Sequence, residues 1–219
     1  MNSYQNKFPV IAIDGTACSG KGTLAKKLSN VLGFDHLDSG VLYRIYAYEF
    51  LKTKKKIENI ENISLNLSSP SQINLYNQKD LRTEIVSKIA SKIAKSEFVR
   101  KQLIDIQRNF ADNPPNKKGS VIDGRDITSV IIPNAEVKFY IDADLDKRAK
   151  RRQIQLNLKE KDYNKIYIEM KLRDKNDKNR QSSPLIKTKD SLFIDTTNIS
   201  EKEVLEIAIQ EIKKKIDFI

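Results

Sequence analysis

One segment constrains this chain more than any other: Gly15-Thr16-Ala17-Cys18-Ser19-Gly20-Lys21-Gly22-Thr23. It follows an apolar run, Pro9–Ile13, that reads as a buried strand. It opens a stretch in which Leu24, Leu28 and Leu32 recur every four residues, the spacing of one helix face. Gly15 and Gly20 let the backbone turn tightly and point its N–H groups inward. The helix that starts there offers the positive end of its dipole, and Lys21 adds a point charge. The segment therefore reads as a phosphate cradle, and any fold containing it must set the carboxyl end of a strand against the start of a helix. A glycine-rich turn that binds nothing would need neither neighbour. Cys18, inside the loop, reads as a small filler rather than a nucleophile, because no histidine lies near it in sequence.

The spacing is that of a Walker A loop with one shift: Gly22 follows the lysine and the hydroxyl comes next, at Thr23. The shift leaves the metal-holding hydroxyl open between Thr23 and Ser19. The strand signal recurs at Ser120–Ile122, Val137–Ile141 and Leu192–Ile194, and more weakly at Phe34–Leu37. Each run is followed by an aspartate: Asp14, Asp123, Asp142, Asp195 and Asp38. Short apolar runs separated by helical stretches predict a parallel sheet covered on both faces, with ligands at the carboxyl ends of the strands where these aspartates stand. Ile85, Ile89 and Ile93, with Val86, Ala90 and Ala94 beside them, predict a further helix. Ser200 and Glu203 read as a capping box opening a last helix with Leu205, Ala208, Ile209, Ile212 and Ile216 on its apolar face. Lys52–Asp80 is polar, carries a turn signal at Ser68-Ser69-Pro70-Ser71, and interrupts the alternation, so it reads as the start of an insert. Asn113–Asn116 predicts a returning loop and Asn157–Tyr163 a lid between two helices.

Composition adds bounds. The 219 residues fit one medium domain, and 39% hydrophobic content suffices for a core. No run approaches the ~20 apolar residues of a membrane span, the start of the chain lacks a secretory pattern, and the only cysteine permits no internal disulfide. A cytoplasmic enzyme is expected. The net charge of +11 suits a phosphate-rich ligand, but lysine is spread along the whole chain as a solvated surface, so individual arginines carry the argument.

Three segments point to a phosphate acceptor. In Leu37–Arg44, Ser39 and the helix start suit a phosphate, and Arg44, a turn later, suits its bidentate grip; by itself Asp38-Ser39-Gly40 is equally a helix cap. In Val121–Asp126, Asp123 stands where a carboxylate reaches Mg²⁺ through water, Arg125 can neutralise phosphate, and Asp126 can accept from the exocyclic amine of a base. In Arg173–Arg180, Arg173, Asp177 and Arg180 fall on one helix face. Arg173 and Asp177 as a mere surface pair would be worth only about 0.3–0.5 kcal/mol, little reason for the pattern. The single histidine, His36, reads as structural, since a phosphate acceptor needs no general base.

The P-loop ending Gly20-Lys21-Gly22-Thr23, the Leu37–Arg44 segment, the Asp123-Gly124-Arg125-Asp126 turn and the Arg173–Arg180 helix stand in the order found in bacterial cytidylate kinases, and the chain resembles that family from about Val10 to its last helix. Leu81-Arg82-Thr83 with Val86, Val99-Arg100 and Ile194–Thr197 fit the same family. The resemblance implies an α/β P-loop fold, a central parallel β-sheet flanked by helices, as one domain over 1–219. It implies a small inserted NMP-binding subdomain at about 52–112 and a lid at about 151–175. It implies transfer of the γ-phosphoryl group of ATP to CMP or dCMP with Mg²⁺. Gly15, Thr16, Ala17, Cys18, Ser19, Gly20, Lys21, Gly22 and Thr23, with Arg148 and Arg152, would bind ATP. Ser39, Tyr43, Arg44, Ser91, Arg100, Arg125, Asp126, Arg173, Asp177 and Arg180 would bind CMP. Lys21, Asp123, Arg125 and Arg180 would serve catalysis, and Thr23 and Asp123 the metal. A monomer without nucleic-acid or membrane partners is expected. The stretch between Arg44 and Arg82 looks shorter than the family's insert, Asn176 and Lys178 replace arginines frequent there, and Thr128 stands where glycine is frequent. A UMP or AMP kinase, a basic nucleic-acid-binding protein and a non-catalytic nucleotide sensor are the competing readings; a carboxylate at 126 favours the amine of cytosine over the carbonyl of uracil.

Overall fold

Alternation along β1, Val10–Gly15, shows how the core is divided. Every residue of this strand is buried. Val10 and Ala12 enter one apolar cluster, Ile11 and Ile13 another, as the two-residue period of a strand requires. A strand apolar on both sides belongs in the middle of a sheet with helices on each face. The computed structural model, which describes residues 6–53 and 70–217, has that arrangement. β2 (Asp35–Asp38), β3 (Ser120–Gly124), β4 (Val137–Asp142) and β5 (Leu192–Asp195) join β1 in one sheet of order β2-β3-β1-β4-β5, every pairing parallel. The expected α/β fold is present, and each predicted strand forms within two residues of its expected limits.

On one face lie α1 (Lys21–Leu32) and α8 (Glu201–Lys213), whose Leu24, Leu28, Val204, Ala208 and Ile212 cover Ile11, Ile13 and Phe139. Ser200 and Glu203 form the expected capping box. On the other face lie α2 (Ser39–Lys52), α3 (Gln78–Leu81), α4 (Glu84–Ile93) and α5 (Glu97–Asp112). The helices of the expected insert share one apolar cluster with the sheet, from Leu81, Val86 and Ile93 through Leu103 and Phe110 to Leu37 and Val10. α6 (Leu145–Gln155) and α7 (Tyr163–Asn179) are joined through a left-handed Asn157 and a short 3-10 turn at Glu160–Asp162, where the lid was expected. Of the turn signal at 68–71, Ser68 and Ser69 lie outside the described residues, and a 3-10 turn spans Pro70–Leu75.

The structure corrects two helix faces. The buried stripe of α4 is Val86, Ala90 and Ile93, while Ile85 is 60% exposed. Two apolar stripes run side by side in the sequence, Ile85-Ile89-Ile93 and Val86-Ala90-Ala94, and packing against α2 buries Val86 and Ala90 of the second together with Ile93. Val204 joins the buried face of α8, while Leu205 and Ile209 lie half-buried at its rim. No described helix is long and apolar enough to cross a membrane.

The phosphate loop leaves the sheet at Gly15 under a tight steric limit. A Cβ built there would lie 2.0 Å from the carbonyl oxygen of Ile141 on the neighbouring strand. That contact is with backbone, so relief requires the central strands to separate. Gly15→Ala should destabilise the fold by roughly 3 kcal/mol or more, as overpacked core sites do, with a matching fall in the urea midpoint. An unchanged midpoint would show that β1 and β4 are not held this closely.

Candidate active site

The loop from Gly15 to Gly20 is tied down by its own carbonyls and hydroxyls. The Thr16 hydroxyl donates to Asp142 at 2.5 Å, and the Ser19 hydroxyl donates to the Thr16 carbonyl at 3.0 Å. The Ser19 carbonyl accepts from the Thr196 hydroxyl at 2.7 Å, and the Ala17 carbonyl accepts from Arg148 at 3.3 Å. A loop whose oxygens are occupied in this way presents its N–H edge to an anion. Gly20, in the left-handed region at φ 93°, caps α1 with no side chain in the way.

Lys21, the first residue of α1, reaches Asp123 at the end of β3, Nζ to Oδ2 3.7 Å. Burial, and then the nearby Arg125, push the Lys21 ammonium below its ordinary value. Burial pushes the Asp123 carboxyl up, but a hydrogen bond from His36 at 2.9 Å and the charges of Lys21 and Arg125 outweigh it, so the group stays ionised below the usual carboxylate range. The side chain of His36 on β2 thus holds one oxygen of Asp123 while Lys21 faces the other. Sequence reasoning kept His36 apart from the site because no motif contained it; only the pairing of β2 with β3 brings the two together.

Around this pair stand the arginines. Arg44 on α2 approaches Asp38 at 3.9 Å and is lowered by burial and by the charges of Arg82, Arg125 and Arg152. Arg125 donates to Asp177 at 3.0 Å, a pairing that outweighs burial and raises it. Arg173 lies 3.9 Å from the same carboxylate. Its buried Nε has no hydrogen-bond partner, and burial together with Arg125 brings it down to about 10. Arg180 is pushed below its ordinary value by burial and lies 3.8 Å from Asp126. An arginine whose charge is disfavoured in this way stays protonated but sits in positive potential left uncompensated by the protein, and a phosphate dianion is the natural complement.

Beside the cage, Asp126 is gripped by Arg100, which also donates to the Ala94 carbonyl at 3.3 Å. The ring of Tyr43 lies 5.8 Å from the Arg100 guanidinium, and its buried hydroxyl has no hydrogen-bond partner. Burial raises the Asp126 carboxyl, while Arg100 and Arg180 pull it back. Ser39 gives its hydroxyl to the Asp123 carbonyl at 2.8 Å, and this close approach needs Gly124, where a Cβ would lie 2.5 Å from the Ser39 oxygen. Ser91 is half-buried on α4.

Two expected residues stand elsewhere. Arg148 is 4% exposed, and its fork is taken up by the Ala143 and Ala17 carbonyls and by Asp174 at 2.6 Å, so it braces the loop from behind. Thr23 is exposed and faces away from Asp123; the neighbour of that carboxylate is Gly22, whose added Cβ would lie 3.7 Å from Oδ2. Thr23 lines a cavity of about 290 Å³ with Lys27, Arg151, Thr196 and Glu201, closed on one side by the Lys27–Glu201 pair at 2.6 Å. Arg151 donates to Thr196 at 3.0 and 2.6 Å, and Arg152 to Gln155 at 3.0 Å.

The family pattern described as cytidylate kinase matches residues 11–214. The chain belongs to the cytidylate kinase family. A cytidylate kinase from Bartonella bacilliformis is 41% identical over 91% of this chain and 92% of its own length. Those of Paramagnetospirillum magneticum and Thermosipho melanesiensis are 37% and 40% identical, covering 94% of this chain and 98% and 97% of theirs. The crystal structure of an uncharacterized protein from Eubacterium ventriosum superposes with a TM-score of 0.53 at 17% identity, over 94% of this chain and 98% of that one, a likeness of fold. The cytidylate kinase family is a family of phosphotransferases.

A carboxylate outside the cage carries a pH signature. Burial, and then the charge of Asp126, raise Asp14 from its ordinary 3.8 to about 6 despite three hydrogen bonds from Ile127 and Thr128. Because the folded value lies above the unfolded one, this group favours folding fully below pH 3.8, and that contribution fades as pH rises through about 6. Urea unfolding of the wild type and Asp14→Asn should therefore show the wild type losing about 2–3 kcal/mol relative to the variant between about pH 4 and pH 7. Parallel profiles would place the Asp14 titration elsewhere.

Proposed function

We propose that this protein transfers the γ-phosphoryl group of ATP to CMP and dCMP, giving CDP and dCDP, as a cytoplasmic monomer without nucleic-acid or membrane partners. The observation that carries the reading is Arg173, half-buried among Arg44, Arg125 and Asp177 with an unpartnered Nε and a pKa brought down to about 10. Such a cluster supports an acceptor that is itself a phosphate. The phosphate of CMP is then the nucleophile, no general base is required, and the protein contributes position and charge.

On this reading Lys21 and the loop N–H groups hold the donor phosphates. Arg44, Arg125 and Arg180 surround the acceptor phosphate and the group in flight. Arg173 adds its charge to this cage and, with Asp177, meets the ribose. Asp126, held by Arg100, accepts from the exocyclic amine of cytosine, and uracil, with a carbonyl there, would be repelled. Ser39, Tyr43 and Ser91 complete the acceptor wall. The cavity bordered by Thr23, Lys27 and Arg151 takes the rest of the donor nucleotide.

The donor set suits Mg²⁺. Asp123 is kept ionised at the end of β3 beside the loop, and among the described residues no three His, Cys, Asp or Glu side chains gather to hold an ion. That fits a cation bound through one carboxylate, water and substrate phosphates. Asp123 is the residue that would hold it, and the Ser19 hydroxyl is the second candidate, since Thr23 faces the cavity. When bound, the ion would neutralise charge on the phosphoryl oxygens. The helices on either side of the acceptor cage, α4 and α7, meet through Lys88–Glu169 at 3.1 Å and Lys165–Glu84 at 3.6 Å, and their closing would keep water from the γ-phosphate.

Lys21→Ala and Arg180→Ala should each lower kcat by roughly 10²–10³-fold, as loss of a transition-state charge partner does, with thermal midpoints near wild type. A coupled ADP-release assay offering CMP, dCMP, UMP, AMP and GMP in parallel reads both the cage and the base preference. Near-normal turnover in both variants would sink the cage, and preference for another monophosphate would discard the role given to Asp126.

A further inference from the structure

The carboxylate given the task of reading the base stands at the mouth of a short π-helical turn, Ile127–Ile131, which begins immediately after Asp126. Within this turn the N–H groups of Val130 and Ile131 donate to the Asp126 carbonyl, and that of Ile132 donates to the Ile127 carbonyl. The first two N–H groups, on Ile127 and Thr128, have no carbonyl behind them. Both residues are buried, at 0% and 1% exposure, so water does not supply the missing acceptor. Asp14 does. Its Oδ1 accepts from the Ile127 N–H at 2.9 Å, and its Oδ2 accepts from the Thr128 N–H at 2.8 Å and from the Thr128 hydroxyl at 2.7 Å.

Asp14 lies one residue before Gly15, where the phosphate loop leaves the sheet. One buried carboxylate therefore fastens the turn carrying Arg125 and Asp126 to the strand that carries the donor loop. Arg100 and Arg180 pull on the Asp126 carboxylate, while Asp14 and Asp126 repel each other through the turn. The Thr128 hydroxyl adds a side-chain bond to the two that the backbone makes, and it is the part of this clamp that a substitution can remove without altering the main chain.

We propose that Asp14 and Thr128 are positioning residues for Asp126: through the capped turn they set where its carboxylate stands, and thereby the preference for cytosine over uracil, without touching either substrate. The inference rests on the reading of Asp126 as the base-recognising group. A slack clamp lets Asp126 drift toward Arg100 and Arg180, which weakens its bond to an incoming amine and weakens its repulsion of a carbonyl at the same place.

The test compares wild type with Thr128→Val, which keeps the shape and loses the hydroxyl, and Thr128→Ser, which keeps the hydroxyl. Steady-state kinetics are taken for CMP and UMP at saturating ATP, and for ATP at saturating CMP, alongside thermal unfolding. Thr128→Val should raise the KM for CMP about fivefold to tenfold and lower the CMP-over-UMP ratio of kcat/KM by a similar factor, the effect of one hydrogen bond to a charged group. The KM for ATP should stay within about twofold, and Thr128→Ser should stay within about twofold of wild type throughout. Thr128→Ala, which leaves both backbone bonds in place, gives the same readout should the valine variant fail to fold. An unchanged CMP-over-UMP ratio in the hydroxyl-less variant, or an equal rise in the KM for ATP, overturns the positioning role. A wild-type enzyme that uses UMP as well as CMP overturns the base-reading role of Asp126, and this inference with it; a selective wild type with an indifferent valine variant overturns the inference alone.

Discussion

Positive charge gathered out of water is the constraint on which the rest of this structure depends. Lys21, Arg44, Arg125, Arg173 and Arg180 crowd the carboxyl ends of parallel strands, and each makes the next harder to hold. The sheet topology answers part of this. Because every strand runs the same way, the aspartates that follow the strands collect at one end: Asp38 opposite Asp123, and Asp142 opposite Asp195. Asp177, from α7, adds a partner for Arg125. What these carboxylates leave uncompensated is the binding energy available to a phosphate.

A second layer keeps that charge in place. Thr16, Ser19, Thr196 and Arg148 fasten the phosphate loop, His36 steadies Asp123, and Asp14 caps the turn behind Asp126. Catalysis by position and charge depends on donors that need not rearrange as the reaction proceeds, and buried hydrogen bonds of this kind supply that stiffness. The contacts between α4 and α7 are of another sort. Lys88, Glu84 and Lys165 are exposed and Glu169 is half-buried, and pairs this open to water hold helices only weakly. The part of the candidate site built on the sheet is thus held by buried bonds, while α4 and α7 are joined to each other by bonds that water competes for.

Much of the site was legible because its chemistry is local. Gly15 to Thr23 needs a strand before and a helix after, and both are written in adjacent residues. Asp123 to Asp126 is a turn at a strand end, and Arg173, Asp177 and Arg180 share a helix face by spacing alone. Where sequence reasoning missed, the deciding partner was distant. Arg148 reads as one more basic residue on a cationic helix until Ala17 and Asp174 are seen to take up its fork. Thr23 is one residue past the position that faces Asp123, and a helix turns each successive side chain by about 100°, which carries it to the cavity side. On α4 two apolar stripes competed, and only contact with α2 decided between them. Asp14 drew notice as the residue after a strand, while its partners Ile127 and Thr128 lie more than a hundred positions away.

The sequence by itself determined the sheet, the phosphate loop, the identity of the charged residues and the family, because apolar periodicity, glycine placement and motif order are properties of neighbouring residues. Tertiary structure alone decided which cations remain free for a ligand and which are used to hold the protein together. That division depends on burial and on partners brought in from other strands: Arg148 is fully bonded within the protein, while Arg173, chemically identical and also helical, keeps a buried nitrogen without a partner.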